Sequence, residues 1–418
     1  MVTMWSTDET MPPVVVHCGV WYNLSRPLLV LLDGFSQSFL ASGPNLMSRS
    51  GSSLTRRTFV KQAAAGSLVA LAAPAILTAA KTDAQRAIVG VGDHQYEVDH
   101  HWAKLPEKFT WQTTHNVAVG RDGTVYVIHE GRLEQPLHPA IFAFDADGKF
   151  IRAFGAQFQG GGHGLETRVE GGDEFLYVTA YQSKRCFAKL TPTGDVVWQK
   201  FAPMEATGYA AGEQFQPRDP NNNPWGRDRF HPTNFAFLPD GGFYLADGYG
   251  SFRMHRYDAD GNWVSSFGKA SEGDKPADGA FNTPHGVWID SRGEEPLVVV
   301  ADRANARLQW FTLDGEHRRT QDGFLLPANV DSQGELLLVP DLVGRVTLLD
   351  GKNEVIAHLG DDSERMKADA KHAIRGDEKQ WNEGKFVHPH DACFDADGNI
   401  YVAEWVGSGR VSKLTKLS

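Results

Sequence analysis

The sequence has little cysteine, little excess of basic charge and no long uninterrupted apolar run. Only three of its 418 residues are cysteine, at positions 18, 186 and 393, so a disulfide framework is not supported. The formal net charge of -11 argues against a basic face that displaces counterions from phosphates, and we predict no nucleic-acid partner. Arg26, Pro27 and Asp33 interrupt the partly apolar stretch from Val14 to Phe35 before it reaches the roughly 20 residues needed to span a bilayer. We also predict no stable transmembrane segment in the mature protein.

Glycine, proline and aromatic residues are plentiful instead. The chain has 43 glycines, 21 prolines and 11% aromatic residues, a composition typical of many strands joined by turns. A chain of this length is too long for one ordinary core unless the fold is a repeat or a closed ring. We therefore expect a targeting segment followed by one large domain.

A short basic region precedes an alanine-rich run. Arg56 and Arg57 are adjacent, Phe59 and Lys61 follow them, and residues 62–80 are weakly apolar without a polar face. The pattern resembles the twin-arginine signal, which directs folded proteins to a dedicated translocase. The alternative is a helix of the mature fold, which the missing polar face disfavours. The resemblance implies that the twin-arginine translocase is a partner during export.

This signal divides the chain into three parts. Because such signals start close to the N-terminus, Met47 is the better start, and we interpret residues 1–46 as an over-extended and disordered N-terminus. Residues 47–83 are then the signal peptide, and residues 84–418 are the mature domain. We expect that domain to be periplasmic or extracellular after export.

One pattern recurs after residue 110: an apolar strand, a turn, a second strand that ends in an acidic residue, and a further strand. The clearest copy runs from Thr283 as Thr-Pro-His-Gly-Val-Trp-Ile-Asp, followed by Leu-Val-Val-Val-Ala-Asp-Arg and then Arg-Leu-Gln-Trp-Phe. The other copies begin near Thr114, Gly162, Pro232, Pro327 and His388. Six units of roughly 55 residues match the four-stranded blades of a propeller.

The fold class that follows is all-β, a six-bladed β-propeller of the NHL-repeat type. Period-two alternation within the strands excludes a helical solenoid. We expect residues 95–98 to complete the last blade as its outer strand and so to close the ring. Residues 203–227 and 361–384 do not fit the repeat, and we interpret them as insertions at the rim.

Histidine is frequent where the innermost strand of each blade begins, which is the position that faces the central channel. The residues there are His115, His163, Thr233, His285, an ambiguous residue near Leu326, and His390. His163, His285 and His390 fall in alternate blades and should converge on one axis. Three neutral imidazoles with an open fourth position are typical of a catalytic zinc site. The alternative is that these histidines only stabilise their turns.

Five motifs in order resemble one known family over most of the chain beyond residue 96. They are His163-Gly164-Leu165, Asp247-Gly248-Tyr249, Pro284-His285-Gly286, Ala301-Asp302-Arg303 with Arg307-Leu308-Gln309, and Pro389-His390-Asp391. The chain resembles the peptidylglycine α-hydroxyglycine amidating lyases and the bacterial NHL-repeat propellers related to them. That resemblance implies a small-molecule or peptide-derived substrate, cleaved from a carbinolamide to an amide and glyoxylate.

The resemblance also implies the roles of particular residues. Zinc would be bound by His163, His285 and His390, Tyr249 would be the catalytic base, and Arg303 would hold the substrate carboxylate.

The resemblance implies calcium as a second metal. Asp391 would supply the carboxylate, and the backbone carbonyls of Val117 and Leu165 would be the other protein ligands.

One departure from the family changes the charge at the substrate site. The family has a second substrate-binding arginine in a His-Arg-Gly motif, where this chain has His129, Glu130 and Gly131. Arg132 is the nearby cation that could replace it. We take Glu130, Arg132 and the channel-facing His115, together with Arg303, as candidate substrate-binding residues. The substrate is therefore expected to be altered.

Two other functions remain open. A non-catalytic NHL-repeat binding propeller in the periplasm would explain the blades without the chemistry, because a fold does not by itself imply a function. A lactonase-like propeller hydrolase would need calcium held by acidic residues near the axis, where this sequence has histidines.

The targeting assignment generates a first prediction. Changing both Arg56 and Arg57 to lysine should leave the precursor in the cytoplasm, because the translocase reads the arginine pair. Fractionation and immunoblotting measure this. Mature protein that still reaches the periplasm in the double variant would contradict the twin-arginine assignment.

Overall fold

The computed structural model describes residues 86–219, 224–273 and 276–417. The targeting pair Arg56 and Arg57, and the segments 1–46 and 47–83, lie outside the described residues.

The described chain is built almost entirely from antiparallel β-sheets, which confirms the predicted fold class. A hairpin comes first, followed by three blades whose strands lie side by side in chain order. The hairpin strands are β1 (Ile88–Val91) and β2 (His94–Asp99). Blade one contains β3 (Thr114–Val119), β4 (Val125–His129), β5 (Ile141–Phe144) and β6 (Phe150–Phe154). Blade two contains β7 (Gly162–Glu170), β8 (Asp173–Ala180), β9 (Cys186–Leu190) and β10 (Val196–Lys200). Blade three contains β11 (Phe235–Phe237), β12 (Phe243–Ala246), β13 (Met254–Tyr257) and β14 (Trp263–Phe267).

A short parallel pair, β15 (Lys269–Ala270) with β16 (Ala280–Phe281), separates these blades from the next three. Blade four contains β17 (Pro284–Asp290), β18 (Leu297–Asp302), β19 (Arg307–Phe311) and β20 (His317–Asp322). Blade five contains β21 (Asp331–Gln333), β22 (Leu336–Asp341), β23 (Arg345–Leu349) and β24 (Val355–Leu359). Blade six contains β25 (Pro389–Phe394), β26 (Ile400–Glu404) and β27 (Arg410–Lys416), and β2 joins it.

Helical structure is limited to short segments. The α-helix α1 (Ser363–Ala368) lies in the second insertion. The 3₁₀ turns are Ala156–Phe158, Arg303–Asn305, Ile374–Gly376 and Glu378–Gln380. Across the described part of the chain, no helix has both the length and the apolar character needed to span a bilayer.

The core is divided into clusters that lie between neighbouring blades. Ile128 of blade one packs in the same cluster as Val178 of blade two, and the interfaces between later blades are built in the same way. The cluster that contains Val127 also contains Tyr401, so blade six packs against blade one. Because burial of apolar surface is the main stabilising term, each blade depends on both of its neighbours.

In blades three to six, an acidic residue at the end of the second strand stabilises the loop that precedes the inner strand. Asp247, Asp302, Asp341 and Glu404 are fully buried and accept backbone N–H groups from the loop before the inner strand. In blades four to six an arginine at the start of the third strand pairs with the same carboxylate. Arg307 Nε, for example, lies 2.8 Å from Asp302 Oδ2. The two charged residues of the Ala-Asp-Arg motif therefore have different roles. The aspartate stabilises the blade, whereas the arginine faces the channel.

The ring is closed by a strand from the other end of the chain. β2 pairs with β27 in antiparallel register, with Val98 opposite Leu414, and becomes the fourth strand of blade six. This agrees with the expected role of residues 95–98. β1 then extends the same sheet beyond β2.

This closure generates a prediction at Tyr96, which is fully buried in the cluster between blades five and six. Tyr96→Ala should lower the free energy of unfolding by about 3–5 kcal/mol, the usual cost of deleting a buried aromatic ring. Tyr96→Phe is the matched control and should be nearly neutral, because the Tyr96 hydroxyl is buried without a hydrogen-bond partner among the described residues. Urea denaturation measures both. Equal stability of the Ala variant and the wild type would show that β2 does not hold the ring closed.

Candidate metal centre and active site

Four histidines meet where the inner strands begin. The ring centroids of His115, His163, His285 and His390 lie between 4.6 and 5.0 Å apart for all pairs except His115 with His285. All four side chains are at most 3% exposed. Burial lowers the pKa of each imidazole. The four rings are therefore neutral, which is the form that binds a metal ion.

A local irregularity of the sheet aims these histidines. The pairing of the inner strand with the second strand shifts register around His115, His163, His285 and His390, in blades one, two, four and six. The inner strands of blades three and five pair without a shift. A β-bulge bends its strand and redirects a side chain, so the four bulges turn the imidazoles toward the channel.

The channel positions of blades three and five, which carry no histidine, contribute backbone carbonyl groups, and so does the position of His115 in blade one. His163 Nδ1 lies 3.0 Å from the Thr233 oxygen, and His285 Nδ1 lies 2.6 Å from the Ala328 oxygen. His390 Nδ1 lies 2.7 Å from the His115 oxygen. Ala328 therefore occupies the blade-five position that the sequence left ambiguous near Leu326.

These bonds fix the tautomer of three rings. A carbonyl oxygen only accepts, so Nδ1 of His163, His285 and His390 must carry the proton, and each Nε2 presents a lone pair. Such bonds commonly orient histidine ligands of metals.

The contact between two of these nitrogens fits a bound cation. His285 Nε2 lies 3.1 Å from His163 Nε2, and both carry lone pairs. Two imidazole nitrogens on a tetrahedral zinc ion stand roughly 3.3–3.4 Å apart, given bonds of about 2.0–2.1 Å. The spacing of this pair thus suits zinc, and a contact between two lone pairs is unfavourable without a cation between the nitrogens. The structure also groups His115 with His163 and His390, with ring nitrogens within 4.8 Å of one another.

Tyr249 and Arg303 reach the same centre. Arg303 Nη2 donates to the Tyr249 hydroxyl at 2.9 Å, and that hydroxyl lies 3.0 Å from His285 Nε2. Burial raises the pKa of the Tyr249 phenol, while the Arg303 guanidinium opposes the rise. Gly248 and Gly250 bring the loop close to neighbouring backbone, where a Cβ would collide with carbonyl oxygens of Pro284 and Arg229. The structure therefore brings together the predicted base, the predicted carboxylate-binding residue and the histidines.

Glu130 and Arg132, the residues at and near the position of the family's second arginine, differ in where their side chains lie. Glu130 Oε2 lies 3.2 Å from His115 Nε2, and Glu130 Oε1 accepts from Gln182 Nε2 at 2.9 Å. Burial opposes ionisation of Glu130, but His115, Gln182 and the charge of Arg375 outweigh it and hold its pKa below the ordinary value. Arg132 is exposed on the loop. The structure therefore brings His115 and Glu130 into the centre and leaves the Arg132 side chain facing solvent.

Three further residues border the site that the sequence did not single out. Tyr181 stacks on Tyr249 with ring centroids 5.3 Å apart, and the Trp225 ring centroid lies 6.0 Å from that of Tyr249. Arg375 stacks on Trp405 and influences Glu130 electrostatically. Tyr181 directly follows the second strand of its blade, as Glu130 and Arg303 follow theirs, and that repeat register could have revealed it. Trp225 and Arg375 come from the two insertions, which supports their interpretation as parts of the rim.

A second group of polar residues lines a separate cavity of about 110 Å³. Glu166, Asp331 and Asp391 lie there, together with Asn329 and Cys393. Burial raises the pKa of Asp331 to about 7 and that of Asp391 to about 6. Burial also raises the pKa of Glu166 far above its ordinary range, with the two aspartates adding to the effect. Crowded, buried carboxylates of this kind ionise more readily beside a cation.

The predicted calcium ligands differ in what they contact. Asp391 Oδ2 accepts the Val117 N–H at 2.8 Å, and Oδ1 accepts from Asn329 Nδ2 at 2.5 Å. The structure thus shows Val117 meeting Asp391 through its N–H group. Leu165 is fully buried in the core between blades one and two.

Cys186 and Cys393 are both free thiols.

Comparison with known proteins supports the resemblance carried by the motifs. No protein-family model matches the chain. It is 30% identical over 220 residues to peptidyl-alpha-hydroxyglycine alpha-amidating lyase 1 of Drosophila melanogaster, covering 49% of this chain and 38% of that protein. It is 29% identical over 223 residues to NHL repeat-containing protein 3 of Homo sapiens, covering 52% of this chain and 57% of that protein.

Solved structures share the architecture only distantly. A gluconolactonase from Xanthomonas campestris aligns with 13% identity and a TM-score of 0.48, covering 78% of this chain and 91% of that one. The chain thus spans about two fifths of the fly lyase and just over half of the human protein. The chain is an NHL-type six-bladed propeller that resembles the peptidyl-α-hydroxyglycine amidating lyases.

Proposed function

We propose that this protein is an exported, metal-dependent propeller enzyme of the amidating-lyase type, with a substrate that differs from the family's. The observation that carries the proposal is the continuous contact from Arg303 through the Tyr249 hydroxyl to His285 and His163. It joins an anion-binding group, a proton-accepting group and metal-binding groups within one buried site.

The residues divide the chemistry between them. His163, His285 and His390 would hold zinc, which acidifies a bound hydroxyl when present. As a phenolate, which the Arg303 guanidinium 2.9 Å away would stabilise, Tyr249 would accept the hydroxyl proton of the carbinolamide and become a neutral phenol. The carbon–nitrogen bond then breaks, the nitrogen gains a proton to give an amide, and the carbinol carbon becomes the aldehyde of glyoxylate.

Glu130 argues for an altered substrate. Its ionised carboxylate lies near enough to Tyr249 to oppose ionisation of the phenol. A substrate carboxylate would meet repulsion on that side of the site. Arg375, which the second insertion brings toward Glu130, offsets part of that charge. We therefore propose a peptide-derived or small carbinol substrate that makes less use of a second carboxylate contact.

The activity is tested by glyoxylate release from an α-hydroxyglycine peptide. Zinc-loaded protein should release glyoxylate slowly, and Tyr249→Phe should lower kcat by about 10²–10⁴-fold, the usual contribution of a general base. Arg303→Ala should abolish the remaining turnover. Tyr257→Phe is the matched control, because Tyr257 is a buried tyrosine of blade three whose hydroxyl has no partner among the described residues.

The outcome separates the lyase from the non-catalytic binding propeller. Turnover that is unchanged in Tyr249→Phe would contradict the assignment of the base. Zinc binding without turnover of any carbinolamide would instead favour the non-catalytic binding propeller.

We further propose calcium in the cavity lined by Glu166, Asp331 and Asp391. Calcium prefers oxygen ligands, and the Oδ1 atoms of Asn234 and Asn329 are buried there or beside it without a partner among the described residues. Bound calcium would stabilise the ionised carboxylates that burial otherwise disfavours.

Calcium should therefore raise the melting temperature of the metal-stripped protein. At a calcium concentration 100 times Kd the gain is about 2.7 kcal/mol, and Asp391→Asn should remove most of it. Asp258→Asn, which changes an exposed turn aspartate of blade three, should leave the calcium-dependent increase intact. An equal increase in Asp391→Asn and wild type, measured by calorimetry, would contradict this site.

A further inference from the structure

His115 is placed like a metal ligand although it lies outside the alternate-blade set. One ring nitrogen each of His115, His163 and His390 can be chosen so that all three lie within 4.8 Å of one another. The His115 ring is 4.6 Å from that of His390 and 4.8 Å from that of His163. Its bulge is of the same kind as the bulges that aim the other three histidines.

One nitrogen of His115 is left without a partner. Nε2 lies 3.2 Å from Glu130 Oε2, whereas Nδ1 is buried and has no hydrogen-bond partner among the described residues. A buried polar atom without a partner has lost its hydrogen bonds to water and gained none in return, so the arrangement is unfavourable unless a ligand occupies the site. A cation shared with the neighbouring imidazoles satisfies the Nδ1 lone pair.

Glu130 fixes the tautomer that this role needs. Glu130 Oε2 lies 3.2 Å from Nε2 and is placed to accept its proton, which leaves the lone pair of His115 on Nδ1. A carboxylate behind a histidine ligand orients the ring and raises its basicity. Gln182 holds the second Glu130 oxygen and so keeps the carboxylate in place. The same residue that departs from the family's arginine thus has a definite function in this chain.

We propose that His115 is a fourth imidazole ligand of the metal centre, bound through Nδ1 and held by Glu130. The proposal rests on the metal-binding part of the proposed function. A zinc ion held by four imidazoles would take a substrate oxygen as a fifth ligand, a coordination number that catalytic zinc sites sometimes reach.

The test measures metal affinity and the number of imidazoles on the ion. Purified mature protein is stripped, loaded with zinc and titrated against a competing chelator. X-ray absorption at the zinc edge counts imidazoles from their outer-shell scattering. Wild type should show four imidazoles, and His115→Phe should show three with an affinity at least about 100-fold lower. Glu130→Gln should keep four imidazoles and weaken affinity by roughly 10–100-fold, the usual effect of losing such a partner.

His100→Phe is the matched control, because His100 is also buried with one unpartnered nitrogen but lies in blade six away from the cluster. Circular dichroism confirms that each variant is folded, and Glu130→Gln keeps the test valid should His115→Phe not fold.

Three imidazoles in wild type, or unchanged affinity in both His115→Phe and Glu130→Gln, would overturn the fourth ligand while leaving the three-histidine site intact. Wild type that binds no zinc would overturn both the fourth ligand and the metal dependence. Glyoxylate release does not enter either readout.

Discussion

The close approach of neighbouring inner strands around the channel is the constraint on which the site depends. A Cβ at Gly164 would collide with the Thr233 carbonyl oxygen, and a Cβ at Gly286 would collide with the Asn329 backbone. Glycine follows the histidine in both blades because no side chain fits there. The same approach places Nδ1 of His163 and of His285 against a carbonyl oxygen of the next blade.

This geometry explains why blades alternate in their roles. Blades two, four and six supply imidazoles that donate through Nδ1, and blades three, five and one supply the carbonyls that accept. Three inner rings are thereby oriented by backbone carbonyl groups. His115 is the exception, since it supplies a carbonyl to His390 and also an imidazole of its own, and a carboxylate orients its ring.

The rim follows a different rule from the blades. Blade interiors are held by apolar clusters and by buried carboxylates that repeat around the ring, whereas Trp225 and Arg375 come from insertions that occur once each. Propellers in general place binding groups on such segments while the scaffold stays fixed. The differences between this chain and its relatives are therefore expected at the mouth of the channel, and Glu130 is one of them.

The sequence by itself determined the features that are local or that repeat. Strand alternation and the six copies were sufficient for the propeller, and the repeat register located the channel histidines and the outer strand at residues 95–98. The order of the motifs, through the resemblance to the lyases, located Tyr249 and Arg303. Only the tertiary structure decided which side chains meet across the channel. The pairing of Glu130 with His115, the stacking of Tyr181 on Tyr249 and the place of Ala328 in the ring depend on distances between blades far apart in sequence. Those distances are set by how six sheets close into one ring, which no single segment encodes.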